Sequence, residues 1–593
     1  MDDLMPAFAV YQQKELKKRK RNREVKTKIM KERPAKKVKE SVEVSDTSKK
    51  TNSKTKNIKR KKLQKKNKSQ SKDSDKLSFN DASHSDEEIP TLIPIIDKLD
   101  KSNTLIRENK ESKIIKSISS LNSNLNPVTQ GLAVFKWILD PIKPRDFFEH
   151  YWEKDVLHIE RSDRDYFRDF FSSSKLDNIL REYPLHFTRN VDVVVYENDK
   201  KEVLNPEGRA VASQLWDYYS NGCSIRVLNP QTYDQHVHFV IANLQEYFGT
   251  MVGTNVYLTP PASQGFAPHF DDIEAFIIQL EGSKHWKLYK PKDEDVLTRE
   301  SSINFKAKDL DTPFMEVTLN AGDVLYFPRG TIHEGHTFEE NHSLHITVSV
   351  YQHTAYVDLM EHILPQALSK AAANNIEFRK GLPLHYLKQL GLVNRNEDSN
   401  KRKMIINKIK SLVNTLVDYI DVDSAADRLG KKFMHDAMPP LYSNEEAQHS
   451  SKYDGDYMKN GKVYNRFEIS SDVNVRLLRY YVVRVVKEED SYKLYYCTEN
   501  AKSYHGEEEQ WLEIDSALVI GIEVLQKKYP EFISVEDIPI QDEQAKLQLV
   551  SDLWERGLLV TESPLLNISS DVDSENSSIG SDDLEEIIES YSE

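Results

Sequence analysis

The sequence predicts a multi-domain α+β protein whose main domain is rich in β-strands and whose two ends are charged tails. Three observations support this organisation. Aromatic and alternating apolar residues are dense in residues 126–355, apolar residues at helical spacing dominate 356–455, and short strand-like and helix-like runs alternate in 456–566. With 593 residues, the chain is also longer than one hydrophobic core normally accommodates.

The first 125 residues are rich in Lys, Ser, Asn and Asp and contain very few aromatic residues, so they cannot bury a core. Between residues 14 and 68 there are 25 Lys or Arg and 6 Asp or Glu, a net charge of +19 in a chain whose total is −13. The basic clusters at residues 17–23 and 59–62 are typical of nuclear import signals and of contacts with polyanions. We therefore expect a disordered basic arm in a protein of the nucleus, including the nucleolus and nucleoplasm.

The other end of the chain has the opposite charge. Residues 569–593 contain nine acidic residues and no basic one, so we expect a disordered acidic tail over residues 567–593.

Other classes of protein are disfavoured by what the sequence lacks. Two cysteines, Cys223 and Cys497, are too few for a zinc site or a disulfide framework, which fits a reducing compartment. No secretory signal is visible, and no run of about 18 apolar residues offers a membrane span. We expect no membrane association.

The main domain contains a motif that is typical of a metal site. His269 and Asp271 are two residues apart, so on a strand both side chains point to the same face. His333 follows 64 residues later, where an apolar strand leads into a Pro/Gly turn and a histidine, a pattern that resembles the second metal motif of cupin barrels. Two imidazoles and one carboxylate on one face of an iron ion leave positions for a 2-oxoacid and dioxygen. The spacing therefore predicts an Fe(II) site in a double-stranded β-helix.

Lys284 provides a further observation. Alternation places it on the same face of its strand as Trp286 and Leu288, towards the interior of the barrel. An inward-facing ammonium group needs an anionic partner, because a buried unpaired charge is costly. The distal carboxylate of 2-oxoglutarate would supply that partner. The alternative is a surface lysine on an edge strand.

Three further histidines follow His333. His336 could be mistaken for the distal ligand, but only His333 has the position that follows the Pro-X-Gly turn. His342 and His345, on the next strand, are expected to form hydrogen bonds within the barrel or near the pocket.

Residues 253–291, 326–337 and 342–352 together resemble the JmjC-type ribosomal oxygenases, and the similarity extends over about residues 130 to 560. The resemblance implies a JmjC/cupin catalytic domain at 126–355, a helical dimerisation domain at 356–455 and a C-terminal winged-helix domain at 456–566.

The resemblance also implies the roles of individual residues. His269, Asp271 and His333 would hold Fe(II), and Lys284 would anchor 2-oxoglutarate, with O₂ as the second cosubstrate. Four residues are implied at the substrate pocket: Asn255, Tyr257, Arg226 and Ser349. Amide, phenol and hydroxyl groups can orient a histidine through hydrogen bonds. For Asn255 and Tyr257, the alternative is that they only satisfy polar groups of their own strand.

The activity implied by the resemblance is 3-hydroxylation of a histidine in a large-subunit ribosomal protein. Demethylation of histone H3 lysines is a second activity attached to this family, and we rank it second. A hypothesis of another class is a non-catalytic chromatin or preribosome scaffold, in which the barrel would be vestigial; the intact ligand set argues against it.

The remaining partners are inferred from charge and periodicity. The basic arm is the better polyanion ligand, because the predicted winged helix is acidic. A homodimer or higher oligomer rests on the resemblance and on a stripe of apolar residues, Ile405, Ile409, Leu412, Leu416 and Ile420. Such a stripe is also typical of the inward face of a helical bundle.

Overall fold

The computed structural model describes residues 126–351, 353–464, 469–503 and 508–565. The predicted basic arm and acidic tail lie outside these described residues. Twelve α-helices occur within them: α1 (Pro127–Leu139), α2 (Pro144–His150), α3 (Ser173–Glu182), α4 (Ala212–Ser220), α5 (Gln235–Phe248), α6 (Tyr356–Asn374), α7 (Ile376–Arg379), α8 (Asn400–Thr415), α9 (Val422–Asp436), α10 (Asn444–Gln448), α11 (Val519–Lys528) and α12 (Glu543–Glu555). None of these helices is long and apolar enough to span a bilayer.

The described residues also form eighteen strands. Those of the first domain are β1 (Leu157–Ile159), β2 (Val191–Glu197), β3 (Lys200–Val203), β4 (Ser224–Leu228), β5 (Val252–Thr259), β6 (Ile273–Tyr289), β7 (Met315–Asn320), β8 (Val324–Phe327), β9 (Ile332–His336) and β10 (Ser343–Tyr351). Those of the C-terminal part are β11 (Tyr457–Lys459), β12 (Lys462–Tyr464), β13 (Asn474–Leu477), β14 (Val483–Glu488), β15 (Ser491–Tyr496), β16 (Trp511–Ile514), β17 (Ile533–Ser534) and β18 (Leu559–Thr561).

The first domain is built on an antiparallel sheet in the order β1-β8-β6-β10-β5-β4-β2-β3, to which β7 and β9 are attached through β6. Its central strands are rich in Val, Ile and Thr, whose branched side chains suit a buried pleated surface. β5 and β10 pair from Thr259–Ser343 to Val252–Val350. β5 and β10 form one wall of the cavity inside the barrel.

β6 is a 17-residue strand that takes part in two sheets. Up to Gly282 it pairs with β10 and β8, and from Ser283 onward it pairs with β7 and β9. The exchange occurs at Gly282, which has a φ of +64° and where a Cβ would lie 1.9 Å from the carbonyl oxygen of His342. Because only glycine fits there, β6 can cross between the sheets that enclose the cavity. The predicted double-stranded β-helix is confirmed.

Helices α1 and α5 cover one side of this sheet with an aromatic layer. Phe135 of α1 lies 5.7 Å from Phe147 of α2 and 6.1 Å from Phe276 of β6, measured between ring centroids, and both contacts are edge-on. Gly131 allows α1 to approach α5 closely, because a Cβ would come within 2.9 Å of the Asn243 carbonyl oxygen. This layer fixes β6 in position.

Residues 356–448 form the helices α6 to α10, as their spacing predicts. The predicted apolar stripe runs along α8 into a 3₁₀ turn at Leu416–Tyr419. Of its five residues only Ile405 is buried, and Ile409 and Ile420 are exposed. The stripe is therefore mostly outside the core of a single chain. Dimerisation through this region stays a prediction.

The C-terminal part is a winged-helix domain, as predicted, with α11 and α12 packed against small antiparallel sheets. Among the strand-like runs of this part, the sequence predicts one strand over residues 475–486. This prediction is wrong, because β13 ends at Leu477 and β14 begins at Val483. Between them the buried Arg479 donates to both carboxylate oxygens of Glu446, at 2.6 and 2.9 Å. The backbone turns there to bring the guanidinium group to this partner.

The winged-helix domain contacts the first domain through α5. The segment between α9 and α10 also contacts α5: Gln245 donates to the carbonyl oxygen of Met438 at 3.1 Å and accepts from its N–H at 2.9 Å. Glu246 accepts from the N–H of Tyr480 at 3.1 Å. The winged helix therefore packs on protein, in agreement with its acidic sequence.

Candidate metal centre

Two neighbouring segments carry the three candidate ligands. His333 N–H donates to His269 O at 2.8 Å, and His269 N–H donates to His333 O at 3.2 Å. The sequence predicts a regular strand at residues 269–271, but only this bridge forms, because the N–H of Phe270 donates to Ser302 Oγ at 2.9 Å. The bridge is sufficient to bring the two histidines side by side.

The three side chains converge. Asp271 Oδ2 lies 3.8 Å from Nε2 of His269 and 3.9 Å from Nε2 of His333. One ligand atom from each residue lies within 4.8 Å of the other two, and no other group of His, Cys, Asp or Glu with this arrangement occurs in the described part of the chain. The spacing of the sequence motif is thus realised as one cluster.

Both imidazoles present Nε2 to the cluster because Nδ1 is engaged elsewhere. His269 Nδ1 lies 2.9 Å from the carbonyl oxygen of Ala267, and His333 Nδ1 lies 3.0 Å from that of Thr331. A carbonyl oxygen only accepts, so each Nδ1 carries the proton and each Nε2 has a free lone pair. Burial lowers the pKa of both rings to about 4, with a smaller effect of Lys201 on His269 and of His269 on His333. Both rings are therefore neutral at neutral pH.

The carboxylate completes a donor set that suits iron. Burial raises the pKa of Asp271 above its usual value. Its Oδ1 atom is buried and has no hydrogen-bond partner among the described residues. Two neutral imidazole nitrogens and a carboxylate with an unpartnered oxygen fit a divalent iron ion with open positions.

Lys284 lies in the same cavity and is buried, with 4% of its surface exposed. Its Nζ donates to Thr259 Oγ1 at 3.2 Å, and burial lowers its pKa to about 7. Gly335 lies against it: a Cβ there would be 3.1 Å from Lys284 Cε and 3.2 Å from the Trp286 ring. The surface-lysine alternative is excluded. A buried ammonium group with one neutral partner is suited to hold the carboxylate of a ligand.

Of the four predicted substrate-pocket residues, Arg226 and Tyr257 line the cavity. Arg226 is 2% exposed and is paired with Asp192, at 2.5 Å from Nη2 and 3.1 Å from Nε. Arg226 and Asn255 both interact with the Tyr257 hydroxyl. Neither of the other two lines the cavity: Asn255 is buried on β5, two residues before Tyr257, and Ser349 lies on β10 opposite Ala275.

His345 lies at the cavity, as the sequence predicts, whereas Phe266 is a cavity residue that the motifs did not indicate. His345 is buried in the cavity with its ring stacked on Tyr257 at 4.8 Å and 7°, and Phe266 packs against Tyr257 edge-on at 5.4 Å. Thr259 was missed, although alternation along β5 places it on the face of Tyr257. His336, by contrast, does not line the cavity and lies 5.1 Å from the His285 ring.

A double-stranded β-helix that holds two histidines, an aspartate and an inward lysine defines a JmjC-type oxygenase. Comparison with family models agrees: residues 226–358 match "JmjC domain", and residues 438–565 match "Ribosomal oxygenase 1, C-terminal winged helix domain". The chain belongs to the ribosomal oxygenase family of JmjC proteins, which are Fe(II)- and 2-oxoglutarate-dependent enzymes.

Family membership rests on relatives that align with 73% of this chain. The chain is 44% identical over 436 residues to the bifunctional lysine-specific demethylase and histidyl-hydroxylase NO66 of Aedes aegypti, covering 73% of this chain and 68% of that protein. It is 42% identical over 446 residues to ribosomal oxygenase 1 of Danio rerio, covering 73% of this chain and 80% of that protein. Among solved structures, ycfD of E. coli matches with a TM-score of 0.41 and 17% identity, covering 71% of this chain and 98% of that chain.

Proposed function

We propose that this oxygenase hydroxylates the β-carbon of a histidine in a large-subunit ribosomal protein. The observation that carries the proposal is the His269, Asp271 and His333 cluster, which shares one cavity with the buried Lys284 and with a network of Arg226 and Tyr257. The names of the relatives, histidyl-hydroxylase and ribosomal oxygenase, support the substrate class.

His269, Asp271 and His333 would hold the iron, and Lys284 would hold the distal carboxylate of 2-oxoglutarate. The bound iron, with 2-oxoglutarate and O₂, supplies the oxidising power that converts a C–H bond to C–OH while 2-oxoglutarate becomes succinate and CO₂. The chain itself keeps both Nε2 atoms unprotonated, through the carbonyl oxygens of Ala267 and Thr331.

The side chains around the cluster would select the carbon that reacts. Arg226 is held in place by Asp192 and, in turn, holds the hydroxyl of Tyr257 near the metal ligands. A phenol and a guanidinium group can orient a neutral imidazole through hydrogen bonds. The iron cluster determines the reaction, and this network is proposed to determine its target.

Mass spectrometry of peptides tests the proposal. The full-length chain, Fe(II), 2-oxoglutarate and O₂ are incubated with ribosomal-protein peptides that contain a central histidine, and with methylated H3 peptides. We expect a gain of one oxygen on histidine. Loss of a methyl group with release of formaldehyde would favour demethylation, the other activity in the names of the relatives. If neither product forms, the proposed activity is wrong.

A matched pair of variants separates catalysis from a scaffold role. His269→Ala removes a proposed ligand, whereas His336→Ala removes a histidine that does not line the cavity. We expect loss of turnover only in the first variant. A His269→Ala protein that kept full cellular function would favour the scaffold hypothesis.

We further propose a nuclear and nucleolar location and an oligomeric state of two or more chains. The location rests on the basic clusters of residues 14–68. The oligomer rests on exposed apolar side chains in residues 382–393, among which Leu384 and Val393 are 92% and 94% exposed. Exposed apolar residues that are concentrated in one segment are typical of a protein interface.

A further inference from the structure

The connection between β6 and β7, residues 290–314, runs alongside the segment that carries the first two candidate ligands. Ser302 donates its N–H to the carbonyl oxygen of Phe270 at 3.0 Å, and its hydroxyl oxygen accepts from the N–H of Phe270 at 2.9 Å. Phe305 donates its N–H to the carbonyl oxygen of Pro268 at 2.8 Å. Phe270 is buried, and a buried peptide group without a partner is costly. The β6–β7 connection thus takes the place of a neighbouring strand for this ligand segment.

A further contact fixes the residue that follows Asp271. Ser301 donates its hydroxyl to Oδ1 of Asp272 at 2.7 Å, and its Oγ accepts from the N–H of Asp272 at 3.3 Å. Asp272 is buried. The β6–β7 connection also packs on the turn that precedes the third ligand, because a Cβ at Gly330 would clash with the carbonyl oxygen of Asp295. Both ligand segments therefore rest on this connection.

Arg299 anchors the β6–β7 connection to α6, the first helix of the helical region. Its guanidinium group donates to Asp358 Oδ1 at 2.6 Å and to Glu361 Oε1 at 3.0 Å. The Asp358 side chain is 7% exposed, and its other carboxylate oxygen accepts from the N-cap N–H of α6. His353 lies between two carboxylates, with Nδ1 3.7 Å from Asp358 Oδ1 and Nε2 3.9 Å from Asp272 Oδ2. A continuous set of polar contacts therefore joins α6 to the ligand segment.

We propose that Ser302 and, through the β6–β7 connection, Arg299 are positioning residues of the iron site. Neither side chain lines the cavity, so both act through His269 and Asp271, and the inference rests on the proposed iron ligands. A regular strand does not form at residues 269–271, so these contacts fix the two ligands where strand pairing would otherwise do so. Loss of a group that orients metal ligands typically weakens metal binding about 10- to 100-fold.

Binding of Co²⁺ provides the test, because it reports on the site without turnover. The metal-free full-length chain is titrated with Co²⁺ alone under argon, and visible absorption gives the Kd and the spectrum of the saturated site. Ser302→Ala removes the acceptor of the Phe270 N–H, and Arg299→Met removes the anchor on α6. The spectrum depends on the coordination geometry, so a fold that is only less stable leaves it unchanged at saturation.

We expect the Kd for Co²⁺ to rise about tenfold in Ser302→Ala and about fivefold in Arg299→Met, with an altered spectrum in both variants. Ser302→Thr keeps the hydroxyl group and should keep the Kd. Arg181→Met is the matched control, because Arg181 lies on α3 and forms an exposed pair with Asp177 in the same domain. Arg299→Gln replaces Arg299→Met if the latter does not fold.

A double variant distinguishes one connected set of contacts from two separate effects. If Arg299 acts through the β6–β7 connection, its loss matters little once Ser302→Ala has released the ligand segment. The Kd of the double variant should then stay close to that of Ser302→Ala. Independent effects would instead multiply to about fiftyfold.

An unchanged Kd and spectrum in a folded variant of Ser302 or Arg299, or a double variant with fully multiplied effects, would overturn the inference. Failure of the proposed iron ligands has a different signature, because the wild type and His269→Ala would then bind Co²⁺ equally. Failure of histidine hydroxylation alone would appear in the peptide assay and would leave the Co²⁺ titrations as expected.

Discussion

The ammonium group of Lys284 donates a hydrogen bond to the hydroxyl of Thr259 at 3.2 Å, and no carboxylate of the described chain is paired with it. Burial lowers the pKa of Lys284 from 10.5 to about 7. A lysine with a lowered pKa destabilises the fold at low pH, because the folded chain must keep a buried charge or release a proton. The cost lessens as the pH rises from about 7 towards 10.5.

Lys284→Met should remove both this cost and the anion site. Without 2-oxoglutarate, the wild-type Tm should increase between pH 7 and 9 relative to that of the variant. With 2-oxoglutarate at 100 times its Kd, the wild type should gain about 2.7 kcal/mol and the variant almost nothing. Thermal unfolding with and without 2-oxoglutarate measures both effects. Lys287→Met is the control, because the Lys287 side chain lies on the same strand and is 34% exposed. If this control lost the stabilisation by 2-oxoglutarate to the same extent, Lys284 would not be the anion site.

Gly335→Ala should weaken 2-oxoglutarate binding without removing any ligand atom. The added Cβ would lie 3.1 Å from Cε of Lys284, so the lysine must shift. We expect a loss of about 1–3 kcal/mol in the free energy of unfolding, as for overpacked sites, and a Kd for 2-oxoglutarate raised about tenfold, the effect of about 1.4 kcal/mol. Denaturant unfolding measures the free energy of unfolding, and calorimetric titration measures the Kd for 2-oxoglutarate. Gly381→Ala, where nothing lies within 4 Å, should leave both unchanged.

Glu446→Gln should destabilise the winged-helix domain. Burial acts to raise the pKa of Glu446, but the charges of Arg479 and Arg476 outweigh it and lower the pKa from 4.5 to about 2. The stabilisation is thus complete above pH 4.5 and is lost as the pH falls towards 2.

At pH 7 we expect this substitution to cost about 3–5 kcal/mol, because two buried guanidinium groups lose their anion. The variant should also be less sensitive to acid than the wild type between pH 4.5 and 2. Denaturant unfolding of the variant and of the wild type at pH 7 and pH 3 measures the difference. Glu523→Gln, which removes an exposed pair with Lys527, is the control. Equal acid sensitivity of Glu446→Gln and the wild type would contradict the role of this carboxylate.

Oligomerisation should depend on the exposed apolar residues of the helical region. Leu384→Asp combined with Val393→Asp places charges at side chains that are more than nine-tenths exposed, so the fold of one chain should be unaffected. Sedimentation should show the wild type as a dimer or larger and the variant as a monomer. Ile303→Asp, at an exposed position of the first domain, should not change the sedimentation. A monomeric wild type would contradict the prediction.

Deletion of residues 14–68 should reduce nucleolar retention without reducing turnover of a peptide substrate. The deleted segment carries a net charge of +19 and lies outside the described residues. Its binding to a polyanion should weaken steeply with salt, because counterions are released on binding. Fluorescence imaging and the peptide assay check the two expectations separately. Lost peptide turnover would refute this separation of roles.

Much of the site was predictable from sequence because it depends on short-range order. The spacing of His269 and Asp271, the turn before His333 and the alternation that places Lys284 inward are all local properties. The helical character of residues 356–448 follows equally from periodicity.

Other features depend on distant parts of the chain. Residues 475–486 read as one strand, yet the strand is interrupted because Arg479 reaches Glu446, 33 residues away in sequence. The stripe from Ile405 to Ile420 has the spacing of a packed helix, yet most of it is not covered by the same chain. Periodicity shows which residues share a face, but not what that face meets.

The sequence by itself determined the ligand types, the strand that carries Lys284 and the family to which the chain is similar. Only the tertiary structure decided that Lys284 is buried beside Thr259, that Arg226 is held by Asp192, and that Ser302 meets the N–H of Phe270. The reason is physical: burial and charge pairing depend on segments that are far apart in the chain, and these meet only when the strands pair and the sheet forms.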